Sequence, residues 1–210
     1  MCGRYSLHSK TLDQPVEILG NIIQPMFNIA PTDIAPIICI KDEQQTLFNA
    51  RWGLMPAWAK DIKKIKPYFN ARVDNLATNK VYTSSSHRRC LVPMAGFYEW
   101  ADKREPWYFH SEQELLFAGG IWRDWQDQEG EAIRSFTVLT TEPNEIVRPI
   151  HDRMPVIIQQ KDHEQWLLDD NESAYSLAVS YTGDMDAYRV YFEVVNSSRN
   201  KQAECVMPIA

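Results

Sequence analysis

The sequence has few cysteines and lacks any metal-binding arrangement of them. Its four cysteines are Cys2, Cys39, Cys90 and Cys205, and no two of them share a Cys-x-x-Cys spacing. Cysteines this far apart do not predict a zinc site, and in a cytosolic protein they are expected to be reduced. Cys39 and Cys90 stand in strand-like apolar runs, where a free cysteine behaves as a small buried hydrophobe. Only Cys2 has an unusual position, and we expect no metal and no cofactor.

The chain also lacks segments that would direct it to a membrane or divide it. No apolar run reaches 18 residues, and Met1–Arg4 does not resemble the start of a secretory signal. We therefore expect a cytoplasmic protein with no membrane partner. No linker-like stretch, repeat or low-complexity segment interrupts the 210 residues, so residues 1–210 are predicted to form one domain. An apolar content of 44% is enough for a core, which excludes general disorder.

A surplus of positive charge, the usual mark of a nucleic-acid partner, is missing from the chain as a whole. The net charge is −6, but it is unevenly distributed. Residues 51–104, here called the basic segment, hold eleven basic and four acidic side chains, or +7, which leaves −13 elsewhere. One interpretation is a localised anion-binding face. The alternative is that the lysines only keep a loop solvated; they are Lys60, Lys63, Lys64 and Lys66.

Short runs rich in β-branched and aromatic residues, bounded by turns, predict a mostly antiparallel β protein with a few short helices. No strand–helix–strand alternation persists, which argues against a doubly wound α/β fold. The predicted strands are Gly3–Leu7, Pro36–Ile40, Thr46–Trp52, Leu91–Trp100, Pro106–His110, Leu115–Trp122, Ser135–Thr140, Pro155–Gln159 and Tyr188–Val195. The predicted helices are Leu12–Leu19, Val73–Tyr82, Asn144–Pro149 and Asp162–Leu168.

Cys2 would carry two nucleophiles if Met1 were removed, as aminopeptidases do when the second residue is small. Its α-amine, with a pKa of roughly 8, could then form a Schiff base with an aldehyde. The thiol could close on the imine carbon to give a five-membered thiazolidine, a product that no internal cysteine can form. The alternative is that a cysteine at position 2 is an accident of a frayed terminus.

Four other residues could support chemistry. Asn70 and Arg72 share a face if the chain is extended there, and could orient a sugar and grip a phosphate; a helix cap at Asn70 is the alternative. Glu99 stands in the aromatic run Gly-Phe-Tyr-Glu-Trp, which favours a raised pKa, although a position on an exposed strand face is the ordinary interpretation. His151 is suited to proton transfer near neutrality, but a lone histidine is often structural.

These weak features occur together because they belong to an ordered set of sequence motifs. They are Met1–Arg4, Asn28–Pro31, Arg51–Leu54, Asn70–Arg72, Gly96–Trp100, Val138–Thr141 and Ile150–Pro155. In this order, and anchored by Cys2, the set resembles the SRAP (SOS response-associated peptidase) family, and within it the bacterial branch that processes abasic sites. The motifs span nearly the whole chain.

The resemblance implies a single α+β domain built on an irregular, mostly antiparallel β-barrel, with Cys2 in a cleft for single-stranded DNA. It implies that Cys2 forms a covalent thiazolidine crosslink with the ring-opened sugar of an abasic site, with lyase activity and self-removal of Met1 as further activities. Asn70 would position Cys2 and the sugar, Glu99 would act as acid and base, and His151 would assist proton transfer. The DNA contacts implied are Arg4, Trp52, Arg72, Lys80, Thr140 and Arg153.

The expected partner is therefore single-stranded DNA containing abasic sites, bound by a monomer. Two alternatives stay open at this point. The first is a cysteine peptidase that uses Cys2 and His151, although a nucleophile at position 2 does not match the cysteine-protease signatures. The second is a noncatalytic module that binds single-stranded DNA through Trp52, Arg72 and the lysines of the basic segment.

Overall fold

The computed structural model describes residues 2–12, 14–126 and 129–209. Within these ranges the chain is mostly β-structure. The strands are β1 (Arg4–Leu7), β2 (Val16–Ile18), β3 (Asn21–Ile23), β4 (Met26–Ile29), β5 (Ile34–Lys41), β6 (Gln44–Trp52), β7 (Asn70–Arg72), β8 (Arg89–Met94), β9 (Gly96–Trp100), β10 (Pro106–His110), β11 (Leu116–Gln126), β12 (Ala132–Thr141), β13 (Met154–Pro155) and β14 (Asp186–Arg189). The helices are α1 (His163–Leu168), α2 (Asn171–Tyr175) and α3 (Phe192–Val195).

Five strands close into a mixed β-barrel in the order β11-β8-β5-β6-β12, with β12 returning to β11. Most neighbours are antiparallel, but β12 runs parallel to β6 at Phe136 and then parallel to β7, where Val138 is opposite Asn70. Because β12 pairs first with β6 and then with β7, strand β7 lies at the barrel wall. The predicted fold class, an irregular and mostly antiparallel β-barrel with short helices, is confirmed.

A second sheet carries the start of the chain, in the order β14-β10-β9-β1-β4. Strand β1 lies between β4 and β9, with Arg4 opposite Tyr98. Strand β9 in turn places Glu99 opposite Trp107 of β10. Because β1 is an inner strand of this sheet, the residues that directly precede it are held beside β9 and are not free at the surface.

Gly53 directly follows β6 and lies in the basic segment. Its φ of +133° lies in a region that residues with a Cβ avoid, and an added Cβ would stand 2.8 Å from Pro67 Cβ. The loop that follows packs through Met55 and Ala59 against Trp125 of β11. The indole Nε1 of Trp125 donates a hydrogen bond of 2.9 Å to Ala59 O, so the loop is fixed to the barrel wall.

Several predicted elements are confirmed because their patterns are unambiguous. Pro106–His110 has the predicted bounds, and helix α1 lies within the predicted Asp162–Leu168. The predictions for β1, β5, β6, β11 and β12 differ from the structure only at their ends. These are the segments in which β-branched and aromatic residues form the longest runs.

Other predictions were wrong. Leu12–Leu19 is no helix, since φ is positive at Leu12 and at Leu19 and the alternating Val16–Ile18 forms β2; Asp13 lies outside the described residues. Val73–Tyr82 holds a 3-10 turn at Val73–Asn75 and further turns, and Asn144–Pro149 is also a turn.

Three predicted strands are also corrected. Leu91–Trp100 covers parts of two strands, because the chain bends at Ala95 between β8 and β9. Pro155–Gln159 contributes only Pro155 to β13 and an isolated bridge at Ile157. Tyr188–Val195 leaves the sheet after Arg189 and ends in α3.

Candidate active site and nucleic-acid interface

Cys2 is buried, at 1% exposure, immediately before β1. Its Sγ donates a hydrogen bond of 3.2 Å to Arg4 O. Burial raises the pKa of the Cys2 thiol well above its usual range, and the negative charge of Glu99 acts in the same direction. The sulfur is therefore a neutral thiol in the folded protein, and Glu99 is near enough to influence it.

Asn70 holds the backbone of Cys2 in place. Its Nδ2 donates a hydrogen bond of 2.6 Å to Cys2 O, while its backbone carbonyl oxygen accepts one of 3.1 Å from the Tyr82 hydroxyl. Among the described residues, Asn70 Oδ1 is buried and has no hydrogen-bond partner. One amide atom of Asn70 thus orients Cys2, and the other can accept a hydrogen bond from a ligand. Nothing in the sequence pattern pointed to Tyr82 as a support for Asn70.

Glu99 lies in β9 at 2% exposure, so the ordinary interpretation of an exposed strand position was wrong. Burial raises its pKa to about 8, because the low-dielectric surroundings disfavour the carboxylate. The charge of Asp152 also raises the pKa. At neutral pH the side chain is largely a carboxylic acid, which can donate a proton.

His151 follows the turn at residues 144–150 and faces Glu99. Its Nε2 is 3.8 Å from Glu99 Oε2, and its Nδ1 accepts a hydrogen bond of 3.0 Å from the Arg153 backbone N–H. The same Nδ1 also lies 3.1 Å from Asp152 Oδ1 and 3.2 Å from Arg153 O. Burial lowers the pKa of His151, with Asp152 acting in the opposite direction. The ring also borders a surface pocket of about 310 Å³.

The structure therefore brings together the four predicted catalytic residues from four separate parts of the chain. Asn70 donates a hydrogen bond to the backbone carbonyl of Cys2, and His151 faces Glu99. Glu99 raises the pKa of the Cys2 thiol electrostatically. The arrangement combines a protonated acid, a neutral imidazole and a neutral thiol. These are the groups needed to form and reverse an imine.

Two predicted phosphate contacts, Arg72 and Lys80, are exposed and form no ion pair within the described part of the chain. Arg72 ends β7, two residues after Asn70. Arg4 is half-buried: its Nη1 donates to Gly3 O at 2.9 Å and its Nη2 to Asn196 O at 3.4 Å. The guanidinium of Arg4 is therefore already hydrogen-bonded, whereas that of Arg72 remains available to bind a phosphate.

The remaining three residues predicted as DNA contacts are buried. Trp52 is 0% exposed, with its ring against Tyr5 and Phe136 and its Nε1 bonded to a carbonyl, so no face is open to a base. Thr140 is fully buried, and its hydroxyl donates to a backbone carbonyl in the barrel wall. Sequence alternation could not show that Thr140 points inward, because β12 is buried on both faces from Ser135 to Thr141.

Arg153 is buried and already paired. Its Nη1 lies 2.9 Å from Glu142 Oε1 and 3.8 Å from Asp74 Oδ2, and its Nη2 donates to Thr140 O at 2.6 Å. A guanidinium with two carboxylate neighbours is neutralised, so it is not a phosphate contact. It instead fixes the chain beside His151.

The exposed aromatic residue of the basic segment is Trp58, at 56% exposure. It lies on the loop that Trp125 fixes to the barrel. The sequence places Trp52 and Trp58 in the same segment and offers no way to decide which of them is buried. The structure decides this: of the two, only Trp58 has a ring surface available for stacking.

A large cavity of about 610 Å³ lies elsewhere. It is bordered by both His8 and His110 and by Tyr108 and Tyr188, and none of the four catalytic residues lines it. The Tyr108 hydroxyl lies 2.7 Å from Ser6 Oγ and 3.2 Å from His8 Nε2.

Among the described residues, no cluster of three or more His, Cys, Asp or Glu side chains could hold a metal ion. None of the described helices is long and apolar enough to cross a bilayer.

Fold and site together define a class of small β-barrel proteins that bury a cysteine near the start of the chain beside an acid–imidazole pair. The model of the SOS response associated peptidase (SRAP) family matches residues 1–197, and the chain belongs to this family.

Two relatives from Bacillus subtilis are 34% identical to this chain. Abasic site processing protein YoaM aligns over 97% of this chain and 96% of its own length, and abasic site processing protein YoqW over 98% and 99%. The crystal structure of a protein from Bacteroides thetaiotaomicron covers all of both chains with a TM-score of 0.82 at 24% identity. This structural likeness concerns the fold.

Proposed function

We propose that this protein processes abasic sites in single-stranded DNA by forming a covalent thiazolidine crosslink through Cys2 once Met1 has been removed. The observation that carries the proposal is the convergence of Cys2, Asn70, Glu99 and His151 in one site. The names of the relatives, which are called abasic site processing proteins, support the choice of substrate.

The reaction begins at the Cys2 α-amine, which attacks the aldehyde carbon of the ring-opened abasic sugar. Loss of water from the resulting carbinolamine gives an imine. Since burial keeps the Cys2 sulfur as a thiol, it does not compete for the aldehyde as a thiolate. The thiol then adds to the imine carbon, its proton passes to the imine nitrogen, and the five-membered ring closes. If the thiol does not add, β-elimination from the imine gives strand cleavage.

Glu99 and His151 divide the proton transfers. Glu99, with its pKa raised to about 8, is the acid that protonates the ring oxygen during ring opening and the leaving hydroxyl during imine formation. His151, 3.8 Å from Glu99, takes up the proton of the thiol and returns a proton to Glu99. Asn70 keeps the Cys2 backbone oriented while the sugar binds.

The DNA strand is held by exposed groups of the basic segment. Arg72 contacts a phosphate next to the abasic nucleotide, and Lys80 adds a weaker, unpaired positive charge. Trp58 takes the stacking role that its sequence pattern could not separate from Trp52, because base stacking requires an exposed ring. Replacing Trp58 with Ala is expected to weaken binding of single-stranded DNA about 5- to 50-fold, measured by fluorescence anisotropy.

A cysteine peptidase acting on other proteins is the weaker candidate. Such an enzyme needs a thiolate paired with an imidazole, and the Cys2 thiol instead donates to Arg4 O while its pKa is raised. A pure binding module would leave the buried acid Glu99 and its partner His151 without a role.

The deciding experiment is intact-protein mass spectrometry after mixing with an oligonucleotide that contains one abasic site. We expect one new mass equal to protein without Met1 plus DNA minus one water. A form with an uncleavable N-terminal extension should fold and form no thiazolidine, because its Cys2 amine is part of a peptide bond. A stable adduct formed by that extended protein at the normal rate would assign the chemistry to another nucleophile.

A further inference from the structure

A second polar pocket, of about 340 Å³, lies beside the loop that carries Trp58. Its polar lining includes Ser84, Arg88 and Arg123, and its floor includes Trp125. None of these residues belongs to the proposed catalytic site or to the predicted DNA contacts. We call this cavity the arginine pocket.

Arg123 is the unusual member of the arginine pocket, because it is a buried cation without a negative partner. The residue is 7% exposed, and its Nη2 donates to Ser84 Oγ. Its Nη1 is buried and has no hydrogen-bond partner among the described residues. A buried guanidinium is strongly destabilised unless an opposite charge and hydrogen bonds compensate for the lost water.

The charged group that acts on Arg123 is a second cation, Arg88, and the two repel each other. Asp124, which also borders the pocket, is committed elsewhere, since both of its oxygens accept from Arg134, at 2.7 and 3.0 Å. In the described part of the chain, neither Arg88 nor Arg123 forms an ion pair with a carboxylate. The pocket therefore holds two positive charges that no carboxylate of the described residues balances.

Arg88 is held ready for such an anion. Its guanidinium lies 5.5 Å from the ring centroid of Trp122, and its carbonyl oxygen accepts a hydrogen bond of 2.9 Å from the Trp122 N–H. These contacts hold the exposed side chain of Arg88 in place at the arginine pocket. Two guanidinium groups and a hydroxyl in a fixed pocket match the oxygens of a phosphate group, which arginine binds bidentately.

We propose that Ser84, Arg88 and Arg123 form a phosphate-binding pocket. Its ligand is either a phosphate of a bound DNA strand or free phosphate. The first source rests on the proposed function and is favoured by position, because Ala57 and Ala59, the neighbours of Trp58, also line the pocket. A strand that stacks a base on Trp58 would place a flanking phosphate within reach of the pocket.

Inorganic phosphate tests the pocket independently of DNA. The thermal unfolding midpoint of the wild type should rise by about 2–6 °C in phosphate relative to chloride at equal ionic strength. Arg88→Gln and Arg123→Gln should lose this rise. Arg104→Gln is the matched control, since it removes the same charge from an exposed arginine outside the pocket and should keep the rise. Arg88 is exposed, so its variant remains informative even if Arg123→Gln folds poorly.

Undamaged single-stranded DNA tests the other source. Arg88→Gln and Arg123→Gln should bind the strand about 3- to 10-fold more weakly, with a log–log salt slope shallower by about 0.7, while Arg104→Gln changes affinity less than twofold.

Each outcome has one meaning. A loss in DNA affinity identifies a DNA phosphate as the ligand, and a loss of the phosphate effect alone identifies free phosphate. If the two pocket variants match Arg104→Gln in both measurements, the proposal is overturned. If the wild type forms no crosslink at all, the proposed function fails, and the phosphate measurement still decides whether the pocket exists.

Discussion

Two regions of the second sheet invite comparison, because each contains histidine and aromatic side chains and only one has the properties of a catalytic site. The large cavity holds His8, His110 and Tyr108 in about 610 Å³, yet the Tyr108 hydroxyl is already bonded to Ser6 and His8. The region around Cys2 borders a smaller pocket, of about 310 Å³ beside His151, but holds a buried acid with its pKa raised to about 8 and an unpaired amide oxygen on Asn70 among the described residues. Perturbed protonation, rather than cavity size, is the basis for proposing this region as the reactive one.

The largest expected effect comes from Cys2→Ala. This variant, with Met1 removed, keeps an α-amine but cannot close the ring, so the stable adduct should fall more than about 100-fold while borohydride still traps an imine. Gel electrophoresis of the crosslinked species measures both products. His110→Gln, in the large cavity, is the control and should crosslink within twofold of the wild type. Equal loss in the two variants would erase the distinction between the regions.

Glu99→Gln should slow crosslinking about 100-fold, the usual contribution of a positioned acid. In the wild type the rate should peak near pH 8, since the amine must be neutral and Glu99, with a pKa of about 8, must be protonated. The variant should lose the decline on the alkaline side and keep the decline on the acidic side. An unaltered pH profile would assign the acid role to another group.

Arg72→Ala should weaken binding of undamaged single-stranded DNA about 5- to 10-fold and reduce the salt slope by about 0.7, which corresponds to one lost phosphate contact. Lys10→Ala removes a positive charge that borders the large cavity and is the matched control. If the two variants lose equal affinity, the effect is one of net charge and Arg72 makes no specific contact. Titrations at several salt concentrations distinguish these cases.

Glu99 should also make stability depend on pH. Its pKa is about 8 in the folded protein against 4.5 for the free group, so between these values the native state keeps a proton that the unfolded state releases. The free energy of unfolding should therefore fall as pH rises from 4.5 to 8, by on the order of 1–4 kcal/mol, and then level off. Glu99→Gln should lack this decline in denaturant titrations. A parallel pH dependence in variant and wild type would contradict the raised pKa.

The smallest effect on chemistry is expected from Tyr108→Phe. Loss of its hydroxyl leaves Ser6 and His8 without their shared partner, which should cost about 1–2 kcal/mol of stability. Crosslinking should stay within twofold of the wild type, because the hydrogen-bond network there is structural. A large kinetic loss with normal stability would show that the cavity takes part in the reaction.

The barrel and the four catalytic positions could be predicted for different reasons. Long runs of β-branched residues predicted strands such as β5 and β12 directly. Cys2 and Glu99 could be proposed because their chemistry follows from position and neighbours, and the order of the motifs joined them to Asn70 and His151.

What failed depended on facing directions. Alternation could not show the direction of Thr140, because β12 is buried on both faces from Ser135 to Thr141. The sequence also could not show which tryptophan, Trp52 or Trp58, meets solvent. Arg153 is committed to Glu142 and Asp74, which are distant in sequence. The helix predicted for Leu12–Leu19 failed because tertiary pairing of β2 with β3 outweighed local propensity. Arg123 gave no indication at all, since its isolation from carboxylates exists only in the folded chain.

The inner position of β1 has a consequence for the order of events during synthesis. Cys2 becomes buried only when β7 and β9 are in place, and these strands end at Arg72 and Trp100. A ribosome needs about 5–20 s to make the first hundred residues. Throughout that interval β1 can pair with β4 but lacks its neighbour β9, so the start of the chain remains accessible to a cotranslational aminopeptidase. The nucleophile can thus be unmasked in the nascent chain before the barrel encloses it.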